Sequence, residues 1–114
     1  MTIHPPLELA AFEANATAVA AIMRSLANPR RLMVLCTLVE KGEVKVGDLA
    51  VQVGLSQSAL SQHLAIMREE GLVTFNREAQ VLRYRIADPR IETLLGTLYQ
   101  LYCAPTLLRE GLIP

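Results

Sequence analysis

Apolar residues recur every three to four positions through the first two thirds of the chain, which is the period of an amphipathic helix. The first stretch, residues 7–26, predicts a helix that ends before Asn28-Pro29, a pair that suits the cap and first position of the next helix. The second stretch is apolar nearly all round and ends at Lys41-Gly42, so it predicts the most buried helix of the fold.

Two shorter helical patterns follow within residues 46–70, separated by Val-Gly-Leu-Ser at positions 53–56. A turn of three or four residues that contains glycine, between two short helices, is typical of a helix-turn-helix. Ser56 is placed to cap the second of these helices. Residues 46–70 are therefore predicted to form a helix-turn-helix.

The apolar period then changes to two, and residues 72–87 predict a pair of strands. Their connection, residues 77–80, contains no Gly or Asn, so its turn type is not predictable. Residues 89–103 predict a last helix. A lone hairpin is not stable by itself. Attached to a helix-turn-helix it predicts a wing, and hence a mainly α winged helix-turn-helix fold of order ααααββα.

Length and charge limit the classes of protein to which this chain can belong. The 114 residues correspond to one domain, residues 1–114, and the 11 basic side chains are balanced by 11 acidic ones. No apolar stretch approaches the roughly 18–20 residues of a membrane span, and the first residues do not resemble a signal peptide. We therefore expect a cytoplasmic protein with no membrane contact. Because His4 and His63 are the only histidines, we expect no His-rich metal site within one chain and no cofactor.

One face of the second helix in the helix-turn-helix carries short polar side chains, where a solvated helix usually carries long charged ones. Gln reads adenine in the major groove, Ser reads several bases, and a Ser at a helix N-terminus can hold phosphate. Arginines of the wing would contact the DNA backbone or the adjacent minor groove. The alternative is an ordinary solvated face, but the order of turn, polar face and wing favours binding to double-stranded operator DNA. The expected DNA-binding residues are Ser56, Gln57, Ser58, Ser61, Gln62, His63, Arg77, Arg83 and Arg85. His63 is ambiguous, because it either packs beside the helix or touches a phosphate.

The apolar stripes of the first and last helices are broader than so small a body can cover. Two chains could bury these stripes against each other in a two-fold homodimer. The residues expected at that interface are Phe12, Val19, Leu94, Leu98 and Tyr102.

Four runs, at residues 26–32, 46–50, 56–64 and 67–73, resemble the ArsR/SmtB family of bacterial repressors. The resemblance covers roughly residues 17–103. It implies a homodimeric winged-helix repressor that leaves its operator when an inducer binds.

The resemblance does not extend to the common metal sites of that family. Its arsenic, cadmium and lead sensors carry Cys-x-Cys in the third helix, where this chain has Lys45 and Gly47, and neither residue binds a soft metal. Its zinc sensors carry Asp and His at both ends of the last helix, which here has Asp88 but no His. We therefore expect neither metal site.

Cys36 in the second helix and Cys103 at the end of the last helix resemble the cysteines of the sulfide- and persulfide-responsive subgroup of this family. The resemblance implies that these two residues sense a persulfide or another thiol-reactive inducer. They would join through a disulfide or a chain of sulfurs, which lowers the affinity for DNA. Cys103, near the helix end at Pro105, is expected to be the more accessible. Spacing alone favours the alternative that both are small buried apolar side chains.

Three other functions compete with that of a redox-responsive repressor. A thiol enzyme needs a His, Asn or Asp that activates its cysteine, and neither histidine is evidently placed for that, so we expect no enzyme. A metal-responsive repressor with a non-standard site and a winged-helix module that binds only protein remain as alternatives.

Overall fold

The computed structural model describes residues 8–103. The expected start of the first helix at residue 7, His4, Pro105 and the tail 104–114 lie outside the described residues. Within them the chain forms five helices and three strands. In chain order these are α1 (Leu9–Leu26), α2 (Pro29–Lys41), β1 (Val44–Lys45), α3 (Val46–Val53), α4 (Gln57–Glu69), β2 (Val73–Glu78), β3 (Val81–Ile86) and α5 (Pro89–Cys103).

Local sequence sets the boundaries of α2. The side chain of Asn28 accepts hydrogen bonds from the backbone N–H groups of Arg30 at 2.9 Å and Arg31 at 3.2 Å, which caps the helix. The helix ends at Lys41, and Gly42 follows with φ +86°, a conformation that carries no steric penalty without a Cβ. Both boundaries are those that the sequence pattern predicts.

The hydrophobic core lies where α2 packs against α3, α5 and β3. As predicted, α2 is central, and its innermost side chains are Val34, Leu35 and Leu38, each at most 1% exposed. Burial of such a side chain contributes about 1.5–3 kcal/mol to the free energy of unfolding. Cys36 is half-buried at the edge of the core.

The sheet has three antiparallel strands in the order β1-β3-β2. Strand β1 was not predicted, because two residues cannot show an alternating pattern. It is nevertheless part of the core: Val44 is buried and pairs with Tyr84, while Lys45 pairs with Arg83.

The wing is longer than the sequence pattern predicts. Strand β2 continues to Glu78, which pairs with Val81, so the connection is the two residues Ala79-Gln80 rather than the four expected. Ala79 has φ +58°, a left-handed conformation that Gly or Asn usually occupies in such turns. The tight turn was missed because its sequence carries neither residue.

Helices α3 and α4, joined through Gly54 at φ +70°, form the helix-turn-helix, and β2 and β3 form the wing beside it. The predicted winged helix-turn-helix fold is confirmed, with β1 added to the sheet. Among the helices of residues 8–103, none is both long enough and apolar enough to cross a membrane.

Candidate DNA-binding surface and cysteine pair

Helix α4 is held by its inner face and capped at its N-terminus. Leu60, Leu64 and Met67 are almost completely buried. The Oγ of Ser56 accepts a hydrogen bond from the backbone N–H of Ala59 at 3.1 Å, which satisfies one of the free amides of the first turn. These contacts fix which face of α4 is turned towards solvent.

Three of the candidate DNA-reading residues lie together on that outer face. Ser58, Ser61 and Gln62 are exposed, and their spacing of three and four positions places them side by side. Gln57 is also exposed, but its side-chain amide lies against α3: a Cβ built on Gly47 would be 3.5 Å from the Nε2 of Gln57. In this conformation Gln57 covers the start of α3, and the other three side chains face outward.

His63 lies on a different side of α4. Its side chain is half-buried, and its Nδ1 accepts a hydrogen bond from the Nε of Arg31 in α2 at 3.2 Å. Of the two placements considered for this residue, packing beside the helix is the one in the structure.

The three wing arginines lie on two faces of the hairpin. Paired residues share a face of a sheet, and neighbours along a strand alternate. Arg83 and Arg85 therefore lie on one face, and Arg77, which pairs with Leu82, lies on the other. The Nε of Arg83 is 3.4 Å from a carboxylate oxygen of Glu78, whereas Arg77 and Arg85 are exposed. Arg77 and Arg85 are therefore the more available cations.

Helix α4 and the wing are braced against each other by aromatic contacts. The guanidinium carbon of Arg68, in the last turn of α4, lies 4.9 Å from the ring centre of Phe75 in β2. The Phe75 ring in turn packs on Tyr84 in β3, with 5.3 Å between the ring centres. A cation over an aromatic face is attractive. These contacts join the C-terminal end of α4 to the wing.

Arg30 and Arg31 were not among the residues predicted from the sequence. Both lie in the first turn of α2, where the helix dipole disfavours cations, and this unfavourable placement was the available signal of another role. Arg30 donates from Nη1 to the backbone carbonyl of Val53 at 3.4 Å, while Arg31 contacts His63. Both arginines link α2 to the helix-turn-helix.

The two cysteines lie near each other although they are distant in the sequence. Cys36 is half-buried on α2, Cys103 is exposed at the end of α5, both are free thiols, and α2 packs against α5. Burial raises the pKa of the Cys36 thiol, and the negative charge of a Cys103 thiolate raises that pKa further. The fold thus places the two thiols on helices that pack together, with Cys36 within the electrostatic range of Cys103.

The outer sides of α1 and α5 expose many apolar side chains. In α1 only Ser25 and Leu26 are buried, whereas Phe12 is 57% exposed. Val19 and Leu94 line a shallow groove between the two helices. Tyr102 is 76% exposed, and the other expected interface residue of α5, Leu98, is half-buried.

The positions of the family's metal ligands are occupied here by residues in other roles. Lys45 is exposed immediately before α3, and Gly47 is in its first turn. Asp88 caps α5 and is held by Arg90, whose side-chain hydrogen bonds lower the pKa of the Asp88 carboxyl. Among residues 8–103, no three His, Cys, Asp or Glu side chains are grouped so that they could hold a metal ion.

Comparison with known proteins agrees with this geometry. Residues 28–74 match the model of the bacterial regulatory protein, arsR family. The biofilm growth-associated repressor of Agrobacterium fabrum is 42% identical over 87% of this chain and 84% of its own length. The structure of reduced HlyU from Vibrio cholerae is 40% identical, with a TM-score of 0.75 over 81% of this chain and 96% of that chain. The repressor BigR from Xylella fastidiosa is 39% identical, with a TM-score of 0.79 over 86% of this chain and 99% of that chain.

These relatives are regulators of transcription and not enzymes. The chain therefore belongs to the ArsR family of bacterial regulatory proteins and is a DNA-binding regulator of transcription with a winged helix-turn-helix.

Proposed function

We propose that this regulator represses transcription while Cys36 and Cys103 are thiols, and that it leaves its operator when a persulfide links them. The observation that carries the proposal is the placement of the two cysteines on packed helices, one half-buried on α2 and the other exposed on α5. Two small buried apolar cysteines would not leave Cys103 open to solvent. One solved relative is a reduced form, the reduced HlyU from Vibrio cholerae.

The difference in exposure suggests the order of the two chemical steps. A persulfide donor R–S–SH transfers its outer sulfur to the exposed Cys103, which becomes Cys103–S–SH as R–SH leaves. The Cys36 thiolate then attacks the inner sulfur of Cys103, so that a disulfide forms and HS⁻ departs. Two thiols and one R–S–SH thus give one disulfide, one R–SH and one H₂S. If Cys36 also carries an added sulfur, the same attack leaves a trisulfide and H₂S.

The outer face of α4 is the proposed reading surface for DNA. Ser58, Ser61 and Gln62 would contact base edges in the major groove, with Ser56 as helix cap and phosphate contact. Gln57 would turn from α3 into the groove on binding. Arg77 and Arg85 would contact phosphates from opposite faces of the wing, and Arg83 would join them after release from Glu78. His63 is not part of this surface, because its ring is turned towards Arg31 of α2.

A homodimer formed by α1 and α5 completes the proposed regulator. The exposed side chains of these helices, among them Phe12 and Tyr102, would become buried between two copies. A two-fold dimer presents its recognition helices to half-sites one turn of DNA apart. A link between Cys103 and Cys36 would join α5, a proposed dimer helix, to α2, which packs against α3 of the helix-turn-helix. A small shift there changes the spacing of the two α4 helices.

DNA binding in reduced and persulfide-treated protein tests this function. The operator duplex is selected with reduced protein from a random-sequence library, and its affinity is followed by fluorescence anisotropy in metal-free buffer. Glutathione persulfide should weaken binding about 10- to 100-fold, which corresponds to a coupling of about 1.4–2.8 kcal/mol. Cys36→Ser and Cys103→Ser should bind the duplex normally and ignore the persulfide. A Cys36→Ser protein that still releases the duplex would contradict the two-cysteine switch.

A further inference from the structure

A polar network connects the junction of α1 and α2 to the inner side of α4. The Nε of Arg31 donates to the Nδ1 of His63 at 3.2 Å, and its Nη1 donates to the Oγ of Ser25 at 3.4 Å. The hydroxyl of Ser25, a residue that is 2% exposed, donates a hydrogen bond of 2.6 Å to a carboxylate oxygen of Glu70. We call these four residues the Arg31 network.

The Arg31 network holds α4 at two points, His63 and Glu70. His63 lies in the middle of α4 and Glu70 is its C-cap, seven positions later. Seven residues are two helical turns, so both attachments lie on the same side of α4 and about 10 Å apart along its axis. One attachment would leave α4 free to pivot, whereas two fix its direction and its rotation about its own axis.

We propose that Arg31 and His63 are positioning residues that orient α4 for sequence-specific DNA binding, and that His63 does not contact DNA. The imidazole Nδ1 already accepts the hydrogen bond from Arg31, and the ring is half-buried between α4 and α2. Because Ser25 belongs to α1, the same network relates each recognition helix to the proposed dimer helix. This inference rests on the proposed role of the outer face of α4.

The opposing assignment is that each residue contacts a phosphate independently. Arg31 is half-buried in the first turn of α2. Loss of a phosphate contact by a cation weakens binding to all sequences alike and lowers the salt dependence. Orientation of α4 has a different signature. Its loss reduces binding to the selected operator far more than binding to a scrambled duplex, and the slope of affinity against salt concentration changes little.

A double-mutant cycle on reduced full-length protein separates the two assignments. Arg31→Ala and His63→Leu are each expected to weaken binding to the operator duplex by about 5- to 20-fold, and the double variant should be no weaker than the worse single one. The matched control is Arg30→Ala, which removes a neighbouring arginine bonded to α3 instead of α4. The fold-losses of operator affinity caused by Arg30→Ala and His63→Leu should be independent, so that they multiply in the double variant.

A conservative variant keeps the test decisive if Arg31→Ala does not fold. The side-chain oxygen of His63→Asn can replace Nδ1 as acceptor, so this variant should keep affinity within about threefold of the parent while His63→Leu does not. Unfolding measurements must show that each compared variant is folded at the assay temperature.

Several results would overturn the proposal. These are independent effects of Arg31→Ala and His63→Leu, a salt slope reduced by about one for either variant, or unchanged operator affinity in folded His63→Leu. Gln62→Ala on the same duplexes reports separately on the outer face of α4. If Gln62→Ala binds the operator as the parent does, the assignment of the reading surface is wrong. If Gln62→Ala weakens binding as expected but Arg31→Ala and His63→Leu act independently, only the positioning role is refuted.

Discussion

Cys103, at the end of α5, lies close enough to Cys36 on α2 for its charge to raise the pKa of the Cys36 thiol. The two residues differ in environment, because Cys103 is exposed and Cys36 is half-buried. An exposed thiol is open to a bulky sulfur donor, while a half-buried neighbour is open only to a group already held beside it. This asymmetry gives the proposed switch its order.

The rate at which the Cys36–Cys103 link forms should depend strongly on pH. Burial, the larger cause of the raised pKa of Cys36, persists after Cys103 has reacted, so only a small fraction of Cys36 is thiolate at neutral pH. With Cys103 first converted to a mixed disulfide with a small thiol, whose attacked sulfur carries no titrating proton, we expect the rate of closure to rise about tenfold per pH unit until the pH reaches that raised pKa. Acid quench and intact mass at several pH values give this rate. Closure that is independent of pH between about pH 6 and 8 would show that Cys36 is not the attacking thiolate.

Substitutions at Ser56 should separate its two proposed roles. Ser56→Ala removes the acceptor for the Ala59 amide and should lower the free energy of unfolding by about 1 kcal/mol. Ser56→Asp restores an acceptor and suits the positive end of the helix dipole, so stability should stay within about 0.5 kcal/mol of the parent. Its negative charge, however, should weaken DNA binding more than Ser56→Ala does. Urea unfolding and anisotropy test the pair, and equal DNA affinity of the two variants would argue against a phosphate contact.

Gln62 should read one base position of the operator. Gln62→Ala should weaken binding to the selected duplex by about 1–3 kcal/mol and relax the preference at a single position. Gln52→Ala, an exposed glutamine of α3 outside the proposed surface, is the matched control and should have no effect. Affinities for a set of single-base operator variants measure both. If Gln62→Ala keeps the affinity and specificity of the parent, the outer face of α4 does not read the operator.

The dimer should depend on the exposed apolar side of α1. Phe12 is 57% exposed within one chain, so Phe12→Glu should leave the fold intact and yield monomers at micromolar concentration. Val51→Glu replaces an apolar residue that is 81% exposed on α3, away from α1 and α5, and should remain dimeric. Sedimentation velocity distinguishes the two states. A parent protein that sediments as a monomer would contradict the arrangement.

The sequence predicts what depends on near neighbours in the chain. The caps at Asn28 and Ser56, the helix end at Lys41 and the wing follow from local patterns, and the structure has each of them. The turn at Ala79 was missed because alanine there gives no sign of a left-handed conformation. Local patterns thus recovered most of the fold.

Contacts between distant residues could not be predicted in the same way. The hydrogen bond from Arg31 to His63 joins residues of different helices, and no spacing rule relates them. The approach of Cys36 to Cys103 was suggested by family resemblance, since nothing in their spacing indicates it. The candidate site is therefore the part of the molecule for which the structure adds most.

A link between Cys36 and Cys103 is the proposed cause of release from DNA, and one titration tests it directly. In one titration with glutathione persulfide, the fraction of linked protein is measured by intact mass and peptide mapping, and the fraction of operator released is measured by anisotropy. Linked protein should lose about 2 Da as a disulfide or gain about 30 Da as a trisulfide. We predict that the two fractions rise together and that reduction of the link restores binding. Release without a Cys36–Cys103 link, or linked protein that stays on the operator, would contradict the two-cysteine switch.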